Sequence, residues 1–166
     1  MTGVQTCALP ISHLAEGVGK SASLATLLLY RNQIGDSGAQ ALGAALAATN
    51  TLTSLILWDC GITGAGAAHL AEGVGKSASL ATLILWSNKI GDSGAQSLGA
   101  ALAASSTLTS LYLESCGITA AGAAHLAEGV GKSASLRRWT FWATTSGTAG
   151  HRRLARHWRP PAPSQA

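Results

Sequence analysis

The chain repeats itself, and the period decides what it can fold into. Residues 24–51 read LATLLLYRNQIGDSGAQALGAALAATNT and residues 80–107 read LATLILWSNKIGDSGAQSLGAALAASST, identical at 21 of 28 positions. Residues 52–79 read LTSLILWDCGITGAGAAHLAEGVGKSAS and residues 108–135 read LTSLYLESCGITAAGAAHLAEGVGKSAS, identical at 24 of 28. Two unit types therefore alternate with a superperiod of 56 residues, and a half unit, residues 13–23, precedes them. A period of this size predicts a solenoid, in which each unit buries its apolar face only against its neighbours.

Each unit opens with L-x-x-L-x-L-x-x-[N/C]-x-I. The positions are Leu24, Leu27, Leu29, Asn32 and Ile34, then Leu52, Leu55, Leu57, Cys60 and Ile62, with the same set at Leu80–Ile90 and Leu108–Ile118. Leu27 and Leu29 alternate, so both point to one side of a short strand while their neighbours face the other. Asn or Cys then stands where the chain must turn, and its side chain can satisfy backbone groups there. The second half of each unit reads as a helix. Asp36 or Ser37 is the expected N-cap of one type and Thr63 of the other. Leu42 and Leu46, and Leu70 and Val74, are four apart and share a helix face. Gly75 and Gly131 are the expected helix stops. Small Ala and Gly residues allow neighbouring helices to pack closely.

This wording resembles the leucine-rich repeat, and within it the ribonuclease-inhibitor-like subfamily, whose units alternate Asn and Cys types. The I-G-D-x-G-A stretch is also similar to the repeats of NACHT-containing (NOD-like) receptors. The resemblance spans residues 13–136 and implies an α/β leucine-rich-repeat solenoid, with parallel strands on a concave face and helices outside. It further implies a non-enzymatic, cytoplasmic, monomeric module that binds a protein ligand on its strand face, as part of a larger receptor or regulator. The alternative that the resemblance carries is a regulator of a small GTPase, since similar repeats build the Ran GTPase-activating protein. No cofactor is implied.

The repeats also supply their own internal comparison. Like units differ at 11 positions, and six of these fall at offsets four, six and seven from the opening Leu. Offset four holds Leu28, Ile56, Ile84 and Tyr112; offset six holds Tyr30, Trp58, Trp86 and Glu114; offset seven holds Arg31, Asp59, Ser87 and Ser115. These are outward strand positions and the start of the turn. All four aromatics of residues 13–136 (Tyr30, Trp58, Trp86 and Tyr112) sit at offsets four or six. With strands about 4.8 Å apart, Tyr30, Trp58 and Trp86 are expected to form one row. Exposed Trp and Tyr beside charges are typical protein-binding anchors; packing of the rings on one another is the competing reading.

Other signals weaken on inspection. Gly-Val-Gly-Lys-Ser occurs at residues 17–21, 73–77 and 129–133, but a phosphate-binding loop needs Gly where Leu14, Leu70 and Leu126 stand. The segment also ends a helix instead of opening one. His13, His69 and His125 each precede a Glu by three residues, a helical spacing that also suits a solvated outer face. Cys60 and Cys116 are two strands apart, about 10 Å, too far for a disulfide, and buried reduced thiols are expected. The chain has no run of 18 apolar residues, so no membrane span is expected.

Both ends break the pattern. The net charge of +4 divides into −2 over residues 1–136 and +6 over residues 137–166, which hold six arginines and no acid. The basic balance is thus confined to the tail and predicts no specific nucleic-acid partner for the repeats. Residues 142–152, reread in a shifted frame, can give G-N-N-I-G-D-S-G-A-Q, which contains the IGDSGAQ of residues 34–40. A frameshift after Leu136 is the expectation, with 137–166 a disordered basic tail that cannot continue the sheet. The opening MTGVQTCALPI resembles a translated sequencing adapter, so residues 1–12 are expected to be an artefact and Cys7 not to be native.

Overall fold

The structure is a computed structural model, and it describes residues 8–143 and 152–153. Helix α1 spans Ala8–Lys20 and is followed by four strand–helix units: β1 (Thr26–Leu28) and α2 (Gly35–Ala48), β2 (Ser54–Ile56) and α3 (Gly64–Lys76), β3 (Thr82–Ile84) and α4 (Gly91–Ala104), β4 (Ser110–Leu113) and α5 (Ala120–Lys132). Strand β5 (Arg138–Ala143) closes the parallel series, and β6 (Arg152–Arg153) pairs antiparallel to it. The strands lie in chain order in one open sheet. The register advances by one repeat per strand, so Leu27, Leu55, Leu83 and Leu111 stand in one lateral row. Strands stand about 4.8 Å apart and helices pack about 8–10 Å apart. The shorter spacing takes the inside of the arc, so the strand face is concave.

One core fills the space between sheet and helices. Leu55, Leu57, Leu83 and Leu85 from the strands meet Leu42, Leu46, Leu70 and Val74 from the helices, all fully buried or nearly so. The helices approach closely because the contact points are glycine. A Cβ added at Gly73 would strike the Gly43 backbone, and one at Gly129 would strike Gly99. Expected side-chain directions on both halves of the unit are those observed.

The turns are held by side chains that cross between units. Asn88 is buried, and its Oδ1 accepts hydrogen bonds from Cys60 N and Ile62 N of the preceding unit, both at 3.0 Å. Its Nδ2 donates to the carbonyls of Leu57, Leu85 and Trp86. Cys60 Sγ donates to Leu29 O, and Cys116 Sγ to Leu85 O, by the same geometry. Asn32, in the first unit, is exposed and, among the described residues, donates to Leu29 O and Tyr30 O.

Three local expectations are corrected. Asp36 does not cap its own helix, and neither does Ser37; α2 begins at Gly35 behind Ile34, with no side-chain cap bond. The Asp36 carboxylate instead caps the next helix, accepting from Thr63 N at 2.8 Å, Gly66 N at 3.0 Å and the Thr63 hydroxyl at 2.6 Å. Asp92 does the same at Thr119. Thr63 is the N-cap expected of it, accepting from Ala65 N. Gly75 and Gly131 lie inside their helices, which run on to Lys76 and Lys132. The stop is Ser77 or Ser133, extended, with its hydroxyl accepting from the amide of Leu80 or Leu136.

The third correction concerns the C-terminal segment, which does continue the sheet. Arg138-Trp139-Thr140-Phe141 keeps the two-residue alternation, so Trp139 pairs with Leu111 and Phe141 with Leu113 in register. Phe141 is buried and stacks on Trp139 with ring centroids 5.1 Å apart. An apolar residue of another shape at the two Leu positions suffices for strand addition. At the other end, α1 begins at Ala8 and Ile11 packs on the core, so the helix extends beyond the half unit of residues 13–23. Pro160, Pro161 and Pro163, with the rest of the tail's arginines beyond Arg153, lie outside the described residues, as does Cys7.

Two stability predictions arise from these ties. Asn88→Ala leaves two buried N–H groups and several carbonyls without partners and should cost about 2–4 kcal/mol in urea unfolding. Asn32→Ala removes two exposed bonds and should cost about 1 kcal/mol or less. The second concerns pH. Burial pushes the Asp36 carboxyl up, but the hydrogen bonds from Thr63 and Gly66 outweigh it and hold it below the ordinary 3.8. The Thr119 hydroxyl and amide lower Asp92 likewise. A carboxyl depressed in the folded state stabilises above its unfolded value and loses that contribution as pH falls through the folded value. Unfolding followed from pH 6 to pH 2 should therefore show stability dropping below about pH 4, with a shallower drop in the Asp36→Asn, Asp92→Asn double variant.

Candidate protein-binding face

The register builds the strand face in lateral rows. Offset two gives Thr26, Ser54, Thr82 and Ser110, and offset four gives Leu28, Ile56, Ile84 and Tyr112, directly opposite one another across the sheet. Thr140 extends the offset-four row onto β5. Leu28 is 58% exposed, and Ile56, Ile84 and Tyr112 are half-buried. At offset six, Tyr30 is 52% and Trp86 38% exposed, while Trp58 and Glu114 are half-buried. All four offset-seven residues, Arg31, Asp59, Ser87 and Ser115, are exposed.

The rings form two pairs where one row of three was expected. Tyr30 stacks on Trp58 at 6.2 Å between centroids and an interplanar angle of 28°. Trp86 meets Tyr112 edge-on at 6.1 Å and 87°. The Arg31 guanidinium lies over Trp58, 4.8 Å from its centroid, in a cation–π contact. Arg31 belongs to the unit before Trp58; the corresponding residue before Trp86 is Asp59, so no cation stands in that place. Glu114 accepts from the Thr140 hydroxyl, and its Oε2 has no hydrogen-bond partner among the described residues.

One property of this face was not legible in the residues. Arg31, Asp59, Ser87 and Ser115 all have φ between 54° and 56°, the left-handed region. The N–H groups of the first three donate to Trp58 O, Trp86 O and Glu114 O, which holds each turn in place. The side chain is thereby projected outward whatever its identity. Asp and Ser hint at such a conformation; Arg gives no signal.

The remaining candidates settle into structural places. His69 and His125 are exposed on the outer helices, and no group of three His, Cys, Asp or Glu residues that could hold a metal occurs among the described residues. Glu72 pairs with Lys76 at 2.6 Å and Glu128 with Lys132 at 2.7 Å. These exposed pairs contribute little. The helix side carries two equivalent shallow grooves of about 380 Å³ and 220 Å³, one over Gly43 and Gly73, the other over Gly99 and Gly129. No helix among the described residues is long and apolar enough to cross a membrane.

The comparisons agree with this architecture. The leucine-rich repeat family profile matches residues 20–43, 49–71, 76–99 and 104–127, so the chain belongs to the leucine-rich repeat family. The actin-binding site 2 structure of leiomodin-1 is similar in fold, with a TM-score of 0.69 and 15% identity over 83% of this chain and 80% of that one. A Caenorhabditis elegans tropomodulin C-terminal domain gives a TM-score of 0.68 and 12% identity over 86% of each chain. No curated protein sequence matches the chain.

Cys60 and Cys116 are free, buried and, by burial, raised in pKa, Cys116 to about 12. A thiolate is the reactive form. Treatment of the folded protein with a maleimide at pH 7.5 should therefore leave both unmodified by peptide mass mapping. Labelling in denaturant should modify both.

Proposed function

We propose that the chain is a non-enzymatic protein-binding module that holds a protein ligand on its concave strand face. Leu28, Tyr30, Arg31, Ile56, Trp58, Asp59, Ile84, Trp86, Ser87, Tyr112, Glu114 and Ser115 form the contact surface. Tyr30 and Trp86 are its most exposed aromatic anchors. The observation that carries the reading is the confinement of variation. Like units are nearly invariant at buried positions and differ mainly at offsets four, six and seven, which here face outward. A scaffold of fixed backbone with a changeable face is what recognition of a specific partner requires.

The alternating Asn and Cys units and the I-G-D-x-G-A wording support a place near the ribonuclease-inhibitor-like repeats and those of NOD-like receptors. On that reading the module works in the cytoplasm, within a larger receptor. Leiomodin-1 uses a similar fold as an actin-binding site, which makes actin a sensible first ligand to assay.

The test is quantitative capture with the Trp58→Ala, Trp86→Ala double variant. A ligand held by two aromatic anchors should bind at least about 30-fold more weakly, since such anchors contribute about 2 kcal/mol or more. Circular dichroism should be unchanged. Unfolding of the variant would support ring packing instead, and unchanged capture by a folded variant would remove the face from consideration. Actin co-sedimentation and capture from lysate followed by mass spectrometry supply the ligands.

A further inference from the structure

The strand face carries one worked example of a cation on a tryptophan. Arg31 N donates to Trp58 O at 2.8 Å, and the Arg31 guanidinium reaches over the Trp58 ring. Asp59 N donates to Trp86 O at 2.9 Å in the same way, and the φ angles of Arg31 and Asp59 are 55° and 54°. The backbone therefore sets Asp59 against Trp86 as it sets Arg31 against Trp58. Only the side chain differs. Asp59 brings a carboxylate where Arg31 brings a guanidinium, and Trp86 stays exposed.

A second acid stands on the other side of Trp86. The register of Ile84 with Tyr112, carried two residues on, sets Trp86 beside Glu114 on the next strand, about 4.8 Å along the row. The Glu114 Oε2 is buried and has no hydrogen-bond partner among the described residues. A carboxylate oxygen in that state is stabilised by a charged donor. The ion pairs among the described residues are the three Glu–Lys pairs on the helices, so neither Asp59 nor Glu114 is paired there. Lys89 and Arg138 are exposed and pair with neither acid.

We propose that Trp86, Asp59 and Glu114 form a seat for an arginine side chain of the protein ligand. The proposal rests on the strand-face reading above and adds the chemistry of the ligand. The guanidinium lies on Trp86, as that of Arg31 lies on Trp58, and its N–H groups reach the two carboxylates. Arginine fits better than lysine, because a planar fork can stack on a ring and donate to two acids at once. The two negative charges also repel a phosphate-bearing ligand. The first pair of units meets its own cation need through Arg31, and the second pair takes its cation from the partner.

The probe is N-acetyl-arginine methylamide, titrated into the isotope-labelled full chain and followed at the Trp indole N–H resonances. A saturable shift is expected at Trp86, with Trp58 unmoved because Arg31 already occupies that place. The citrulline analogue, uncharged and of the same shape, should bind about tenfold more weakly. The Asp59→Asn, Glu114→Gln double variant should weaken the arginine probe by a similar factor. Asn accepts the left-handed backbone at position 59, so its circular dichroism should be unchanged. Asp59→Arg supplies the cation in cis and should abolish binding of the probe; Arg31 shows that arginine accepts this backbone. No shift at Trp86, equal binding of the citrulline analogue, or equal binding by the double variant would overturn the proposal. The captured protein ligand gives a second arm. Capture lost in the Trp58→Ala, Trp86→Ala variant but unchanged in the Asp59→Asn, Glu114→Gln variant would leave the face standing and overturn the arginine seat. Capture unchanged in both would remove the face as well.

Discussion

The structure depends on polar side chains that tie each turn to its neighbour. A strand of three residues cannot bury its backbone groups alone, and an unpaired buried amide costs about 1–3 kcal/mol. Asn88 resolves this for the turn behind it, and Asp36 and Asp92 resolve it for the helix start ahead of them. All three belong to Asn-type units, and the Asn ties run back along the stack while the Asp ties run forward. The Cys-type unit supplies the receiving amides and a thiol small enough to fill the same turn position. The alternation of unit types is therefore a division of labour, and a stack of Cys-type units alone would lack these ties.

Small residues do the complementary work on the helix side. Glycine at Gly43 and Gly73 brings two backbones into direct contact, which no larger residue permits. The core is then built almost wholly from Leu, Ile, Val and Ala, with no aromatic residue inside the four units. Aromatic rings are released to the strand face, where they contact one another and solvent. The left-handed turn residues hold that face in register whatever their side chains. Conserved scaffold and variable face thus follow from one arrangement.

Much of this was legible in the residues, and the failures have a common cause. The period fixed the strand–turn–helix order, and the Leu spacing fixed the core. Local N-cap rules point to Asp36 or Ser37 for α2, but the Asp36 carboxylate accepts from amides at the start of α3, 27 and 30 residues away along the chain. Glycine near a helix end suggests a stop at Gly75, yet it lies inside α3 beside Ala101 and Ala104, and the chain leaves the helix at Ser77. The four strand-face aromatics form two pairs where one row of three is expected, because ring orientation is set by neighbours such as Arg31 and Tyr112. Strand β5 formed where the repeat wording had ended, since Trp139 and Phe141 preserve the alternation that pairing needs.

By itself the sequence determined the architecture: a 28-residue period with Leu at fixed offsets admits a parallel stack and little else. It also determined which positions vary, because the units could be compared with one another. Only the tertiary structure decided where the polar ties run, how the aromatic residues pair, and that Trp139 and Phe141 carry the sheet onto β5. These properties depend on contacts between residues about one repeat apart, and nothing within a single unit encodes them.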